Sequence, residues 1–235
     1  MEYLAAQLAA IPGVVAVTLG GSRAVGTAVE GSDWDFGLYY RGSLDPADVV
    51  ALGWPGRVFA PGEWGRIVNG GAWLTIGGTK VDLIYRDLDE VLRWTAAAED
   101  GRFEIDREVG YVAGIATYVL AGELALGRVL AGDLPRPGFP PKLRQTAPAA
   151  WSRLAAGALH FAEVHAGART GWPAWRTCAK RCWRWARAVW RPLANGCSTK
   201  NGLPNVPGWA AFKTSSAGLS RTWVRSCPES GPLSN

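Results

Sequence analysis

Apolar and polar positions along the chain change their period twice. Residues 2–10 (EYLAAQLAA) follow a helical spacing that Pro12-Gly13 ends. Val14–Leu19 is a β-branched apolar run and reads as a buried strand. Gly20-Gly21-Ser22 makes a tight turn, with Ser22 placed to cap a short helix over 23–28. After the Gly31-Ser32 turn, Trp34–Tyr40 reads as a second strand. Asp45–Leu52 reads as a helix with Asp45 at its N-cap and Pro46 at its first position. Residues 53–71, rich in Gly, Pro and Trp, read as loop with one short strand. Trp73–Ile76 and Lys80–Tyr85 flank Gly77-Gly78 as a hairpin.

From Asp87 onward a helical period takes over. The pattern predicts a helix over Asp87–Glu99 and a short strand or loop at Arg102–Ile105. It then predicts a long apolar helix over Val109–Leu130, a proline-rich link from Pro135 to Pro141 and a helix over Leu143–His165 with Pro148 near its start. The fold class expected is α/β (α+β): a mixed-sheet domain over 1–90, then a helical-bundle domain over 91–172. Past about residue 175 the period is lost. Trp172, Trp175, Trp183, Trp185, Trp190, Trp209 and Trp223 recur at no helical or strand spacing, so 173–235 reads as an irregular, disordered tail.

Charge changes the picture of that tail. Residues 1–150 hold 13 Lys and Arg against 18 Asp and Glu, a net of −5; residues 151–235 hold 12 against 2, a net of +10. All four cysteines, Cys178, Cys182, Cys197 and Cys227, fall in the same stretch. Their spacings, with 3, 14 and 29 intervening residues, are not those of a zinc ribbon. High-GC codons read out of frame yield Arg, Trp, Pro, Gly, Ala and Cys. Residues 195–202 permit codons whose neighbouring frame spells glutamate-arginine-valine-leucine-asparagine-glutamate-lysine-arginine. Out-of-frame translation accounts for the charge jump, the Cys clustering and the Trp excess together. The gene sequence tests it, through the presence of a long helical frame beside this one.

Several function classes fall away. No stretch is long and apolar enough for a membrane span, and Glu2 without a basic N-terminal region does not suit a signal peptide, so no membrane partner and a cytoplasmic location are expected. Nucleic acid is not expected as a partner, because basic and aromatic residues of the tail lack a structural period. Gly20, Gly21 and Gly26 do not give the dinucleotide fingerprint. His160 and His165, five apart, miss a shared helical face.

The candidate chemistry lies in the first 90 residues. In a strand, residues i and i+2 share a face, so Asp33 and Asp35 set two carboxylates side by side. Adjacent carboxylates repel unless a cation sits between them, and Mg²⁺ takes one or two carboxylates plus substrate phosphates. Asp82 lies in an apolar strand and joins the pair if that strand lies beside the second one. Asp82 is also the nearest candidate for a general base. Gly20 and Gly21 let backbone N–H groups approach phosphate; Ser22 adds a hydroxyl and Arg23 a charge. Glu104 and Asp106 offer a base or a solvated strand edge. Tyr39, Tyr40, Trp54, Trp64 and Trp73 offer a stacking surface or core packing.

These residues carry a resemblance. The segment TLGGSRAVGTAVEGSDWDFGLYY, with KVDLIYRD downstream, resembles the nucleotidyltransferases of the DNA polymerase β superfamily. It looks most like the small bacterial members, which include antibiotic nucleotidyltransferases and the minimal antitoxin type. Gly21-Ser22 match the first element of their pattern, Asp33 and Asp35 the second and Asp82 the third. The resemblance implies Asp33, Asp35 and Asp82 as catalytic and metal-binding residues, and Gly21, Ser22 and Arg23 as nucleotide-binding ones. It implies two Mg²⁺ ions, with ATP as donor. The expected reaction moves AMP to a hydroxyl of a small molecule such as an antibiotic, and the acidic first 150 residues suit a cationic one. The alternatives are AMP transfer to a protein hydroxyl, as in the antitoxin type, and nucleotide binding without turnover.

Overall fold

The computed structural model describes residues 2–108, 111 and 113–167. Within them the chain is a mixed α+β fold built on a six-stranded sheet whose strands, counted along the chain, lie in the order third, fourth, fifth, second, first, eighth. The tail over 173–235 lies outside the described residues, and the helical domain expected over 91–172 runs past the last of them.

The first half follows its local signals. Helix α1 (Glu2–Ala9) buries Leu4, Ala5 and Leu8, and β1 (Val14–Leu19) follows. The short helix α2 occupies Gly21–Ala24, not 23–28. Ser22 is therefore inside the helix; Gly20 takes the N-cap, and no side chain caps it. Strand β2 (Trp34–Tyr40) leads to α3 (Pro46–Val50), where the Asp45 carboxylate accepts from Ala47 N–H at 2.8 Å. The edge strand β3 is Gly56–Val58. Strands β4 (Gly71–Ile76) and β5 (Thr79–Asp87) close around Gly77 and Gly78, both at positive φ. That is what a two-residue turn matched to the strand twist requires. Asp87 then caps α4 (Leu88–Glu99), its carboxylate accepting from Asp89 and Glu90 N–H.

The helix expected over Val109–Leu130 is not there. The described part of that run holds β7 (Ile115–Ala116), paired to β6 (Ile105–Asp106), then α5 (Val119–Leu126) and β8 (Arg128–Gly132). Gly114 at φ +88° and the extended Gly127 break the helical path. The run is apolar on every side, so its composition carries no period to tell a buried helix from a buried strand. Strand β8 pairs antiparallel with β1, so the sheet takes a strand from well beyond residue 90. Helix α6 (Leu143–Gly167) contains Pro148 near its start, as expected. No helix among the described residues is long and apolar enough to cross a membrane.

Alternation along the strands gives the sheet two different faces. Val17, Phe36, Leu38, Leu74, Val81, Leu83 and Tyr85 pack with Leu8 of α1 and Val49 of α3 into the main core. On the opposite face, Ala16 and Tyr39 pack with Val91 and Trp94 of α4 and with Leu120 and Leu124 of α5. That cover reaches one end of the face only. At the other end Gly37, Asp82 and Ile84 are half-buried, and Trp73 and Thr75 are exposed.

Candidate functional site

The open end of that second face is where the acids lie. β2 and β5 are the parallel pair of the sheet, and their register sets Asp35 opposite Asp82. Residues opposite each other in neighbouring strands share a face, with strands about 4.8 Å apart. Asp35 is buried, with 7% of its surface exposed, and Asp82 is half-buried. Asp33 stands two residues before Asp35, just ahead of β2, and is half-buried.

The glycine turn meets the same edge. β1 and β2 are antiparallel, so the end of β1 lies beside the start of β2. Gly20 N–H donates to the Asp35 carbonyl at 2.7 Å. Gly21 sits at φ +61°, a conformation that a side chain makes costly. The turn, Asp35 and Asp82 thus occupy neighbouring positions across three strands.

Arg23 has a different place from a free phosphate ligand. Its Nη2 donates to the Ser32 carbonyl at 2.7 Å, and its Nε to the Asp33 carbonyl at 3.2 Å. Its guanidinium stacks on the Trp34 ring at 4.2 Å. Arg23 therefore ties α2 to the loop that presents Asp33.

Among the described residues, no three His, Cys, Asp or Glu side chains close into a group able to hold a metal ion. The donor set still fits Mg²⁺, a hard ion satisfied by one or two carboxylates when phosphate oxygens and water complete its shell. A nucleotide would have to supply the rest of that shell.

Other candidates have structural roles. Glu104 and Asp106 both pair with Arg66, at 2.7 and 2.8 Å, and Arg66 lies over the Trp94 ring. Tyr39 and Tyr40 are buried, and burial pushes the Tyr39 hydroxyl well above its ordinary pKa, with the Glu123 carboxylate adding to the shift. Trp54 packs against the main core. Trp73 behaves differently: 42% of its surface is exposed, and it is the register partner of Asp82 on β4.

Sequence reasoning passed over a buried ion pair behind the acids. Arg86 and Glu123 meet at 2.7 Å, joining β5 to α5, and Arg86 also donates to the Val68 carbonyl. Burial works against the Arg86 charge, but the Glu123 carboxylate more than offsets it and raises its pKa. An Arg in the apolar strand VDLIYRD was the available signal, since a buried cation demands a partner.

Two depressions beside α4, of about 360 and 390 Å³, are lined by Arg93, Trp94 and Phe103 and by Leu92, Thr95 and Pro135. Neither of these two includes Asp33, Asp35 or Asp82, which lie at the partly open end of the sheet face, Asp35 buried, Asp33 and Asp82 half-buried and Trp73 exposed. No family model matches the chain, and no curated protein matches it significantly.

Proposed function

We propose that the chain is a Mg²⁺-dependent nucleotidyltransferase that moves AMP from ATP to a hydroxyl. The observation that supports this is a shared edge: Gly20 N–H donates to the Asp35 carbonyl at 2.7 Å and Asp35 stands in register with Asp82, so the glycine turn and the two acids neighbour one another. In this reading Gly20, Gly21 and Ser22 receive the β- and γ-phosphates. Asp33 and Asp35 would hold Mg²⁺, which supplies compensating charge for the phosphates when bound. Asp82 takes the proton of the acceptor hydroxyl as its oxygen attacks the α-phosphorus. The new O–P bond forms as the α–β bridging P–O bond breaks, and pyrophosphate leaves with that electron pair. A C-terminal helical domain that includes α6 belongs to the same proposal.

The test is calorimetric titration of the full chain with ATP, with and without Mg²⁺, repeated on Asp33→Ala and Asp35→Ala. The expected result is binding that needs Mg²⁺ and falls at least tenfold in each variant. Equal binding in the wild type and Asp35→Ala would overturn the assignment. Transfer of label from α-labelled ATP to a co-purified protein, and to no small hydroxyl compound, would move the acceptor to the protein class.

A further inference from the structure

The row of side chains on the open face continues past the acids. Asp82 pairs with Trp73 on β4, and Trp73 pairs with Arg57 on β3. Across five strands the order is therefore the Gly20 turn, Asp35, Asp82, Trp73, Arg57. The Trp73 indole is held in place. Trp64 stacks on it at 5.3 Å and 24°, and Phe59 meets it edge-on at 4.8 Å. Gly71, two residues before Trp73, lets β4 run close to β5 and leaves room for Trp64: a Cβ there would come within 1.9 Å of the Leu83 carbonyl oxygen and 2.8 Å of the Trp64 ring. An exposed indole backed by a second one is an oriented plate.

From this we infer that Trp73 is the acceptor-binding plate, and that the acceptor is a neutral hydroxylated ring of the pyranoside class. The inference rests on the nucleotidyltransferase reading. In-line displacement sets the attacking and leaving oxygens on opposite sides of the phosphorus. With pyrophosphate leaving toward the Gly20 turn, the attacking hydroxyl arrives from the Asp82 side, where Trp73 stands. The surroundings of the plate select the chemistry. Asp82 and the exposed Thr75, Lys80 and Arg57 share its face, so polar groups of both signs ring one apolar surface. A sugar ring presents that pattern in reverse, with one face of C–H groups and an edge of hydroxyls. The mixed signs give a strongly cationic acceptor no net attraction at the plate, although residues 1–150 as a whole are acidic.

The test uses methyl β-D-glucopyranoside as probe with the full chain. Saturation-transfer NMR reports ring contact, and titration of that signal gives a dissociation constant. The expected result is saturation of the ring protons by the wild type and binding weakened at least fivefold in Trp73→Ala. Trp73→Phe, which keeps a plate, should bind within about twofold of the wild type. Equal saturation in wild type and Trp73→Ala, or none in the wild type, would overturn the inference. Mg²⁺-dependent ATP binding is measured on the same samples. Its loss in Trp73→Ala alone means that the variant is misfolded, and Trp73→Leu, which keeps apolar bulk without a flat ring, then decides: sugar binding weakened at least fivefold with ATP binding kept supports the plate, and unchanged sugar binding overturns it. Its absence in the wild type defeats the nucleotidyltransferase reading separately from the sugar site.

Discussion

Asp35 and Asp82 stand 47 positions apart in the chain and directly opposite each other in a parallel strand pair. Two carboxylates on one face of neighbouring strands are where a divalent cation would bring compensating charge. Millimolar Mg²⁺ with ATP should raise the melting temperature of the wild type and leave Asp35→Asn unchanged. Differential scanning fluorimetry with and without Mg²⁺ checks both; an equal Mg²⁺ response in Asp35→Asn would remove the cation from this site.

Gly21→Ala introduces a side chain at φ +61°. The cost should be about 1 kcal/mol of folding stability, measured by urea denaturation. The larger expected effect is on nucleotide: a Cβ at the turn keeps phosphate oxygens from the backbone, so ATP affinity should fall more than tenfold. A variant that loses stability yet binds ATP normally would show the glycine to serve the turn alone.

The Arg86–Glu123 pair is the strut between β5 and α5. Arg86 is 4% exposed, so Glu123→Gln leaves a buried cation without its counter-charge. One-third exposure of the Glu123 side chain lets water soften the loss. Destabilisation of about 2–3 kcal/mol is expected from chemical denaturation, below the full range for breaking a buried pair. Arg86→Met with Glu123→Leu should recover much of it.

Alkaline pH should unfold the protein through its tyrosines. Burial pushes the Tyr118 hydroxyl up to about 12, and raises Tyr39, Tyr85 and Tyr111 as well. In the unfolded chain these groups ionise near pH 10. Their stabilisation is complete below that pH and is lost as pH rises toward the folded values, between about 10 and 12 for Tyr118. Denaturation monitored from pH 8 to 12 should show stability falling from about pH 10 upward, less steeply in Tyr118→Phe. A flat profile over that range would contradict the assignment.

The Tyr85 hydroxyl is buried and has no hydrogen-bond partner among the described residues. Tyr85→Phe removes a polar group whose burial is costly, so it should be neutral or stabilise the protein by up to about 1 kcal/mol. Loss of stability in this variant would indicate an unseen partner for the hydroxyl.

Much of the first 100 residues was legible from local rules. The β4–β5 hairpin followed from Gly77-Gly78, the start of α3 from Asp45, and the buried strands from runs such as Val14–Leu19. Each is decided by residues a few positions apart, through turn conformation, capping and side-chain alternation. The types of the candidate residues, Asp33, Asp35, Asp82 and the glycine turn, belong to the same level. Tertiary structure alone decided their arrangement. The parallel β2–β5 register set Asp82 beside Asp35, and the β4 register set Trp73 beside Asp82. Packing against β1 turned Arg128–Gly132 into a strand, although the run containing it was apolar without a period. Arg23 was drawn to the carbonyls of Ser32 and Asp33 by the fold of the loop. Strand order and register follow from which distant surfaces bury each other, and spacing along the chain does not contain that choice.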